Sequence, residues 1–371
     1  VLTPLTIALL RRYNIIDAVI DDKIHKRATP RGGGIAIFFA FAIAVLIPNY
    51  RDNPMKGVMA GAFICLLVGA LDDFRGGIPA TLKFCALLLA TSVMAAFGVR
   101  FEVFHVFPLD FALTLLWIVG VTSAFNGIDY IDGLASGVAA IVSIMFLLIA
   151  TQSYYAAGTE TSLSWFGLLA AGLLGANLGF LLYNFNPAKV FMGDAGSFFL
   201  GFLLAALGVM GEWAPQPVIA ITIPVLILAI PIFDFAYILI KRILDGETRT
   251  FRAVIEHCAP DHLSHRLVWI GFTQRNAVLL IYAMSFVLGI TGILLHNSTS
   301  AADSLYGLVQ GAGLVGIVVM LMRTAERRQA ATQREAAHLR HEVKRFNEEV
   351  AQTTTKITPA DLPERFLDKS A

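Results

Sequence analysis

Apolar residues along this chain run in blocks, and polar residues gather in the gaps between them. Blocks lie near 33–48, 56–71, 79–97, 108–125, 134–150, 163–183, 195–211, 217–243, 275–295 and 303–323. With flanking residues, each approaches the roughly 20 apolar positions that a helix needs to cross a hydrocarbon core. Barrel strands would alternate in polarity and be about half as long. The pattern therefore predicts an all-α, polytopic transmembrane helix bundle of about ten complete spans. The opening "VLTPLTIALLRR" reads as the last part of one more span, a truncated first helix.

Composition agrees with that choice of solvent. Hydrophobic residues make up 57% of the 371 positions and charged residues 15%, against about 25% charged in soluble domains. Lys and Arg then orient the spans. If residues 11–32 are cytoplasmic, so are 72–78, 126–133, 184–194, 244–274 and everything after 323. Counting terminal and flanking positions, all but Arg51, Lys56 and Arg100 of the 28 Lys and Arg fall on that side. The net charge of +1 gives no basis for a nucleic-acid partner, and none is expected. Cys65, Cys85 and Cys258 show no ligand or disulfide spacing, which points away from cysteine chemistry.

The polar clusters share that side. They are "DDKIHKRATPRGGG" (21–34), "LDDFRGG" (71–77), "FNGIDYIDGLASG" (125–137), "NFNPAKVFMGDAGS" (184–197) and "APDHLSHRL" (259–267). The middles of the helices are clean, whereas a transporter places polar groups and broken helices near the midplane. Asp72, Asp73, Asp129, Asp132 and Asp194 bring five carboxylates to helix–loop junctions. That many acids call for a hard cation, Mg²⁺ or Mn²⁺ rather than zinc. Lys83, Lys189, His262, His265 and Arg266 supply donors suited to phosphate. Together they describe phosphoryl transfer at a membrane face, with a lipid arriving from the side and a soluble donor from the cytosol.

Each cluster taken alone has a plainer reading. An Asp pair at a helix end is commonly a solvated cap, a histidine near the interface is usually polar trim, and Lys189 alone would be a snorkelling anchor. Five clusters on one face, with none opposite, outweigh those readings, because acids at membrane junctions are costly unless they are used.

The same stretches resemble the successive motifs of the polyprenyl-phosphate N-acetylhexosamine-1-phosphate transferases, in that family's order, over roughly residues 1–295. The resemblance rests on "HKRATPRGGGIAIF", "GALDDFRGG", "AFNGIDYIDGLASGVAAI", "NFNPAKVFMGDAGSFFLGF", "PIFDFAYILIKRIL" and "DHLSHRLVWIGFTQRNAVLLIY". The branch most resembled is the bacterial initiators of wall and surface polysaccharides, which use UDP-N-acetylglucosamine. It implies transfer of N-acetylhexosamine-1-phosphate from a UDP-sugar to polyprenyl (undecaprenyl) phosphate, with release of UMP. It also implies a bacterial plasma membrane, with the active site and C-terminal tail cytoplasmic.

Roles follow from the resemblance residue by residue. Asp72 and Asp73 match the acidic pair that handles the lipid phosphate, and Asn126 and Asp194 match metal-binding groups for Mg²⁺ or Mn²⁺. Asp129 and Asp132 match acids of the nucleotide loop, and Lys83 matches a lysine that meets the diphosphate, one residue further from the pair than expected. Lys189 would be a nearby anchor for negative charge. His262, His265 and Arg266 match a histidine–arginine loop that holds the pyrophosphate. Ser264, Tyr130 and Ser123 depart from the family's usual His, Gly and Asn.

Residues 1–323 are expected to form the catalytic domain, 324–358 a helical tail and 359–371 a disordered end. Leu339, Val343, Phe346 and Val350 make a single heptad stripe, for which a homodimer contact and a solvated tail remain equal readings. A lipid or solute transporter and a membrane scaffold are the alternatives from other classes.

Overall fold

The computed structural model describes residues 1–17, 28–47, 52–157, 163–211, 213, 217–244, 246, 262–298 and 301–356. The expected disordered end, Cys258, part of the first basic connection and residues 259–261 of the last motif lie outside them. The described chain is nearly all helical. Its helices are α1 (Leu2–Arg12), α2 (Gly34–Leu46), α3 (Asn53–Arg75), α4 (Ala80–Ala96), α5 (Phe107–Ile128), α6 (Leu134–Ala157) and α7 (Leu163–Asn184). There follow α8 (Gly193–Met210), α9 (Pro217–Ile227), α10 (Ala229–Leu244), α11 (Leu263–Trp269), α12 (Gln274–His296) and α13 (Ala301–Lys356). One two-residue pair, β1 (Ile16–Asp17) with β2 (Thr29–Pro30), is antiparallel in the register Ile16 to Pro30 and Asp17 to Thr29.

Every predicted block is helical, but the expected ten complete spans are not reached by length. Seven described helices are long and apolar enough to cross a bilayer, or eight if α9 and α10 count as one. At 13 and 17 residues, α2 and α4 fall short of a full crossing. The block at 217–243, expected as one span, is bent by 88° between α9 and α10. Proline explains the position of the break. Pro231 has no N–H for the carbonyl of Ile227, and its ring crowds that carbonyl, so α9 stops there.

The centre of the bundle is α8, buried along almost its whole length, with α2, α3, α5 and α6 packed around it. Glycine lets the backbones meet there. A Cβ on Gly34 would lie 2.0 Å from the nitrogen of Gly196, and one on Gly69 would lie 2.2 Å from the carbonyl oxygen of Asp194. These contacts draw the start of α2 and the last turns of α3 onto the first turn of α8. Helix α13 runs unbroken through residue 323, so the expected helical tail continues the last apolar block. Leu339, Val343 and Phe346 are exposed along it.

A candidate active site at the helix ends

The site forms where α3 and α5 end and α4 and α8 begin. Asp72 and Asp73 come from the last turn of α3, Lys83 from the first turn of α4, and Asp194 from the first turn of α8. Ligand oxygens of Asp72, Asp73 and Asp194 lie within 4.8 Å of one another. Three carboxylates so close, all buried, repel strongly unless cations stand between them.

Two cations do. The Lys83 ammonium is 2.9 Å from Asp72 and 2.5 Å from Asp194. The second is Arg31, which the sequence reading quoted within a motif but did not single out. Its Nε donates to Asp73 and its Nη2 to Asp194, each at 2.8 Å, and Nη2 is 3.6 Å from Asp72. Backbone pairing sets Arg31 in place. The Phe191 N–H donates to the Pro30 carbonyl, while the Gly33 and Gly34 N–H groups donate to Phe191 and Met192. The strand end carrying Arg31 is thereby tied to the residues that lead into α8. Burial would lower the guanidinium's pKa, but Asp73, Asp194 and Asp72 raise it above its usual value, so Arg31 stays charged. An arginine joined to acids only through the fold leaves no local signal beyond its place beside the glycine run.

The two members of the acidic pair do different work. Asp73 accepts the backbone N–H groups of Asp194 and Ala195, each at 3.0 Å, and so caps α8 from a neighbouring helix. Helix N-termini carry unpaired donors and a partial positive charge that a carboxylate satisfies. Asp72 instead accepts from Lys83 and, at 2.8 Å, from the Ile78 N–H just beyond its own helix. It is the less committed of the two.

Asn126, in the last turn of α5, donates its amide to Ser197 in the second turn of α8 at 2.9 Å. That bond brings it to the face of α8 that also carries Asp194, one turn earlier. Asp129 is half-buried just past the end of α5 and accepts the Gly193 N–H. Burial, then Asp194, hold its carboxyl well above the usual range. Asp132 is spent on the fold: it accepts the Asn186 amide at 3.0 Å and the Ala188 N–H at 2.9 Å. Asn184 completes this brace, accepting from Gly133 and Ser136 and donating to Val190. The Lys189 side chain is exposed on the braced loop.

The histidine–arginine motif forms α11, and its side chains divide. His262 pairs through Nδ1 with Asp234 at 2.7 Å, and the Leu263 N–H donates to the same carboxylate at 2.6 Å. Asp234 is a buried acid of α10 that stood unremarked inside "PIFDFAYILIKRIL". The His262 ring stacks on Tyr130 with centroids 5.5 Å apart, and His265 meets the same ring edge-on at 6.0 Å. A Cβ on Gly127 would touch His262 at 2.7 Å, so α11 presses directly on the residue after Asn126. Arg266 turns the other way. It is 1% exposed and donates to Glu326 of α13, with Tyr237 and Trp269 against its guanidinium. Ser264 is also buried, and its hydroxyl finds no partner among the described residues.

Comparison with known proteins bears on the same residues. Residues 55–212 match the sequence model of glycosyl transferase family 4, a stretch holding both members of the acidic pair, Lys83, Asn126 and Asp194. A Bacillus subtilis protein named "Probable undecaprenyl-phosphate N-acetylglucosaminyl 1-phosphate transferase" is 35% identical over 311 residues, covering 81% of this chain and 82% of its own. A Mycobacterium tuberculosis "Decaprenyl-phosphate N-acetylglucosaminephosphotransferase" is 29% identical over 335 residues, 81% of each chain. A Clostridioides difficile "Phospho-N-acetylmuramoyl-pentapeptide-transferase" is 32% identical over 320 residues, 78% of this chain and 91% of that one.

Proposed function

The chain belongs to glycosyl transferase family 4, and from that premise we propose that it transfers N-acetylglucosamine-1-phosphate from UDP-N-acetylglucosamine to undecaprenyl or a related polyprenyl phosphate. A lipid phosphate oxygen attacks the sugar-side phosphorus, the bond to the bridging oxygen breaks, and UMP leaves. The product is a sugar on a lipid diphosphate, the first intermediate of a wall or surface polysaccharide. The single observation that carries this reading is the trio of buried carboxylates gathered with two cations at the end of an apolar bundle.

The donor set fits a hard divalent cation, because every candidate ligand atom is an oxygen and the three acids already converge. Asp72, Asp73 and Asp194 would hold it, with Asn126 alongside. When bound, Mg²⁺ or Mn²⁺ would neutralise the diphosphate and polarise its phosphoryl oxygens.

The chain's own residues supply the rest. A lipid monophosphate has its second pKa near about 6, so the nucleophile is mostly ionised and the obstacle is repulsion between anions. Lys83 and Arg31 stand where that repulsion is greatest and offset it as phosphate oxygens approach. His262 and His265, held against Tyr130 with His262 also beside Gly127, would hold the diphosphate. Asp129 and Asp132 shape the nucleotide loop, Asp132 by bracing it. We assign this end of the bundle to the cytoplasmic face of a bacterial plasma membrane, from the Lys and Arg asymmetry. The trio of acids and its two cations lies at helix ends and not in mid-helix, which argues against a transporter.

The test uses detergent-solubilised protein, UDP-N-acetylglucosamine and undecaprenyl phosphate, with UMP release as the readout. Release should stop on chelation and return with Mg²⁺ or Mn²⁺. Asp194→Asn should cut turnover by at least about a hundredfold, as expected where transition-state charge is stabilised through one group. Full turnover in chelator, or in that variant across a magnesium titration, would overturn the assignment.

A further inference from the structure

Helix α11 has seven residues, too few to be stable alone. Its first turn is held by Asp234, through His262 and the Leu263 N–H. Its far end is held by α13. Glu326 takes the Arg266 guanidinium, the Lys241 ammonium at 2.9 Å and the Tyr237 hydroxyl at 3.2 Å. Two residues on, Arg328 donates to the Ile270 carbonyl at 2.6 Å, just past the end of α11. The guanidinium is sealed in at 1% exposure while Glu326 is 25% exposed, so the carboxylate closes the pocket from outside. Removing Glu326 takes a carboxylate from a buried guanidinium, which favours a shift of the group or entry of water. Because His265 is the residue next to Arg266 on a seven-residue helix, a shift of the Arg266 backbone would carry with it the histidines that pack on Tyr130 and Gly127.

We propose that Glu326 is a positioning residue of the transferase: acting through Arg266, the part of α13 beyond residue 323 sets where α11 presents His262 and His265 to the sugar nucleotide. The inference rests on the reading that these histidines serve the donor. It makes the start of the tail part of the catalytic unit, although Glu326 touches no substrate.

Four variants of the full-length protein test it, with steady-state kinetics against UDP-N-acetylglucosamine and against polyprenyl phosphate. Glu326→Ala should raise the donor KM about tenfold, change kcat less than threefold and leave the lipid KM unaltered. Glu326→Asp should recover much of the loss, since it keeps the charge. Arg266→Ala should raise the donor KM similarly, and Glu326→Ala combined with Arg266→Ala should be no worse than Arg266→Ala alone. Additive effects in the double variant, or equal losses toward both substrates, would overturn the positioning role. Should Glu326→Ala fail to fold, Glu326→Gln carries the test: a raised donor KM supports the proposal, and a wild-type value refutes it. His265→Ala separates the two levels. An unchanged donor KM there would remove the premise itself, and a raised one beside a wild-type Glu326→Ala would sink only the inference.

Discussion

Replacing Asp73 with asparagine should cost both stability and turnover, whereas the same change at Asp72 should cost mainly turnover. The Asp73 side chain is 1% exposed. One oxygen accepts from the Asp194 N–H and from Arg31, and the other accepts from the Ala195 N–H. An asparagine keeps one acceptor oxygen and places an NH₂ where the second stood. Either Ala195 or Asp194 then has a buried donor facing another donor. Loss of a helix cap costs about 1 kcal/mol, and a hydrogen bond to a charged group is worth about 1.5–3 kcal/mol. Some of this is returned, because Asp194 and Asp72 no longer repel a third charge. A net loss of about 2–3 kcal/mol remains. Asp72→Asn can still offer one oxygen to Lys83 and the Ile78 N–H, so its cost should stay below about 1 kcal/mol. Thermal unfolding in one detergent, followed by intrinsic fluorescence, should place Asp73→Asn about 1–4 °C below Asp72→Asn. Both should release UMP far more slowly than the wild type. An Asp73→Asn protein that melts with the wild type, or an Asp72→Asn protein that melts with Asp73→Asn, would refute this division of labour.

Two further expectations follow from other contacts in the same structure. Arg31→Gln removes a cation from among three acids, so Mn²⁺ titrated into the purified protein should bind about tenfold more tightly, a Coulomb effect discounted for the part-exposed guanidinium; weaker or unchanged binding would mean that Arg31 does not compete for these carboxylates. Ser264→Ala deletes a buried hydroxyl without a partner among the described residues, so its melting temperature should stay level or rise, by no more than about 1 kcal/mol of stability, with donor KM unaltered; a raised donor KM would show that Ser264 reaches the nucleotide.

The sequence by itself determined the solvent, the helices and the end of the bundle where the chemistry gathers. Those are local properties. An apolar block of spanning length has to satisfy its backbone within itself, and an acid beside such a block is too costly to leave unused. Hence Asp72, Asp73 and Asp194 could be picked out before any coordinates, as could Lys83. The break before Pro231 was also written in the chain, since proline cannot continue the bond to Ile227, yet the apolar run through 217–243 hides it.

Partnership was decided only in three dimensions. Nothing near Asp73 says that it caps α8, 121 residues away, or that Asp72, its neighbour, does not. Arg31 reaches Asp194 across 163 residues, because glycines at 34, 69 and 196 let three helices touch. Arg266 carries the same charge as any phosphate-binding arginine, but helical geometry turns it about 100° from His265, toward Glu326 on α13. Residue type and spacing report what a side chain can do. Which charge it meets depends on backbones far apart in sequence packing close enough to bring them together.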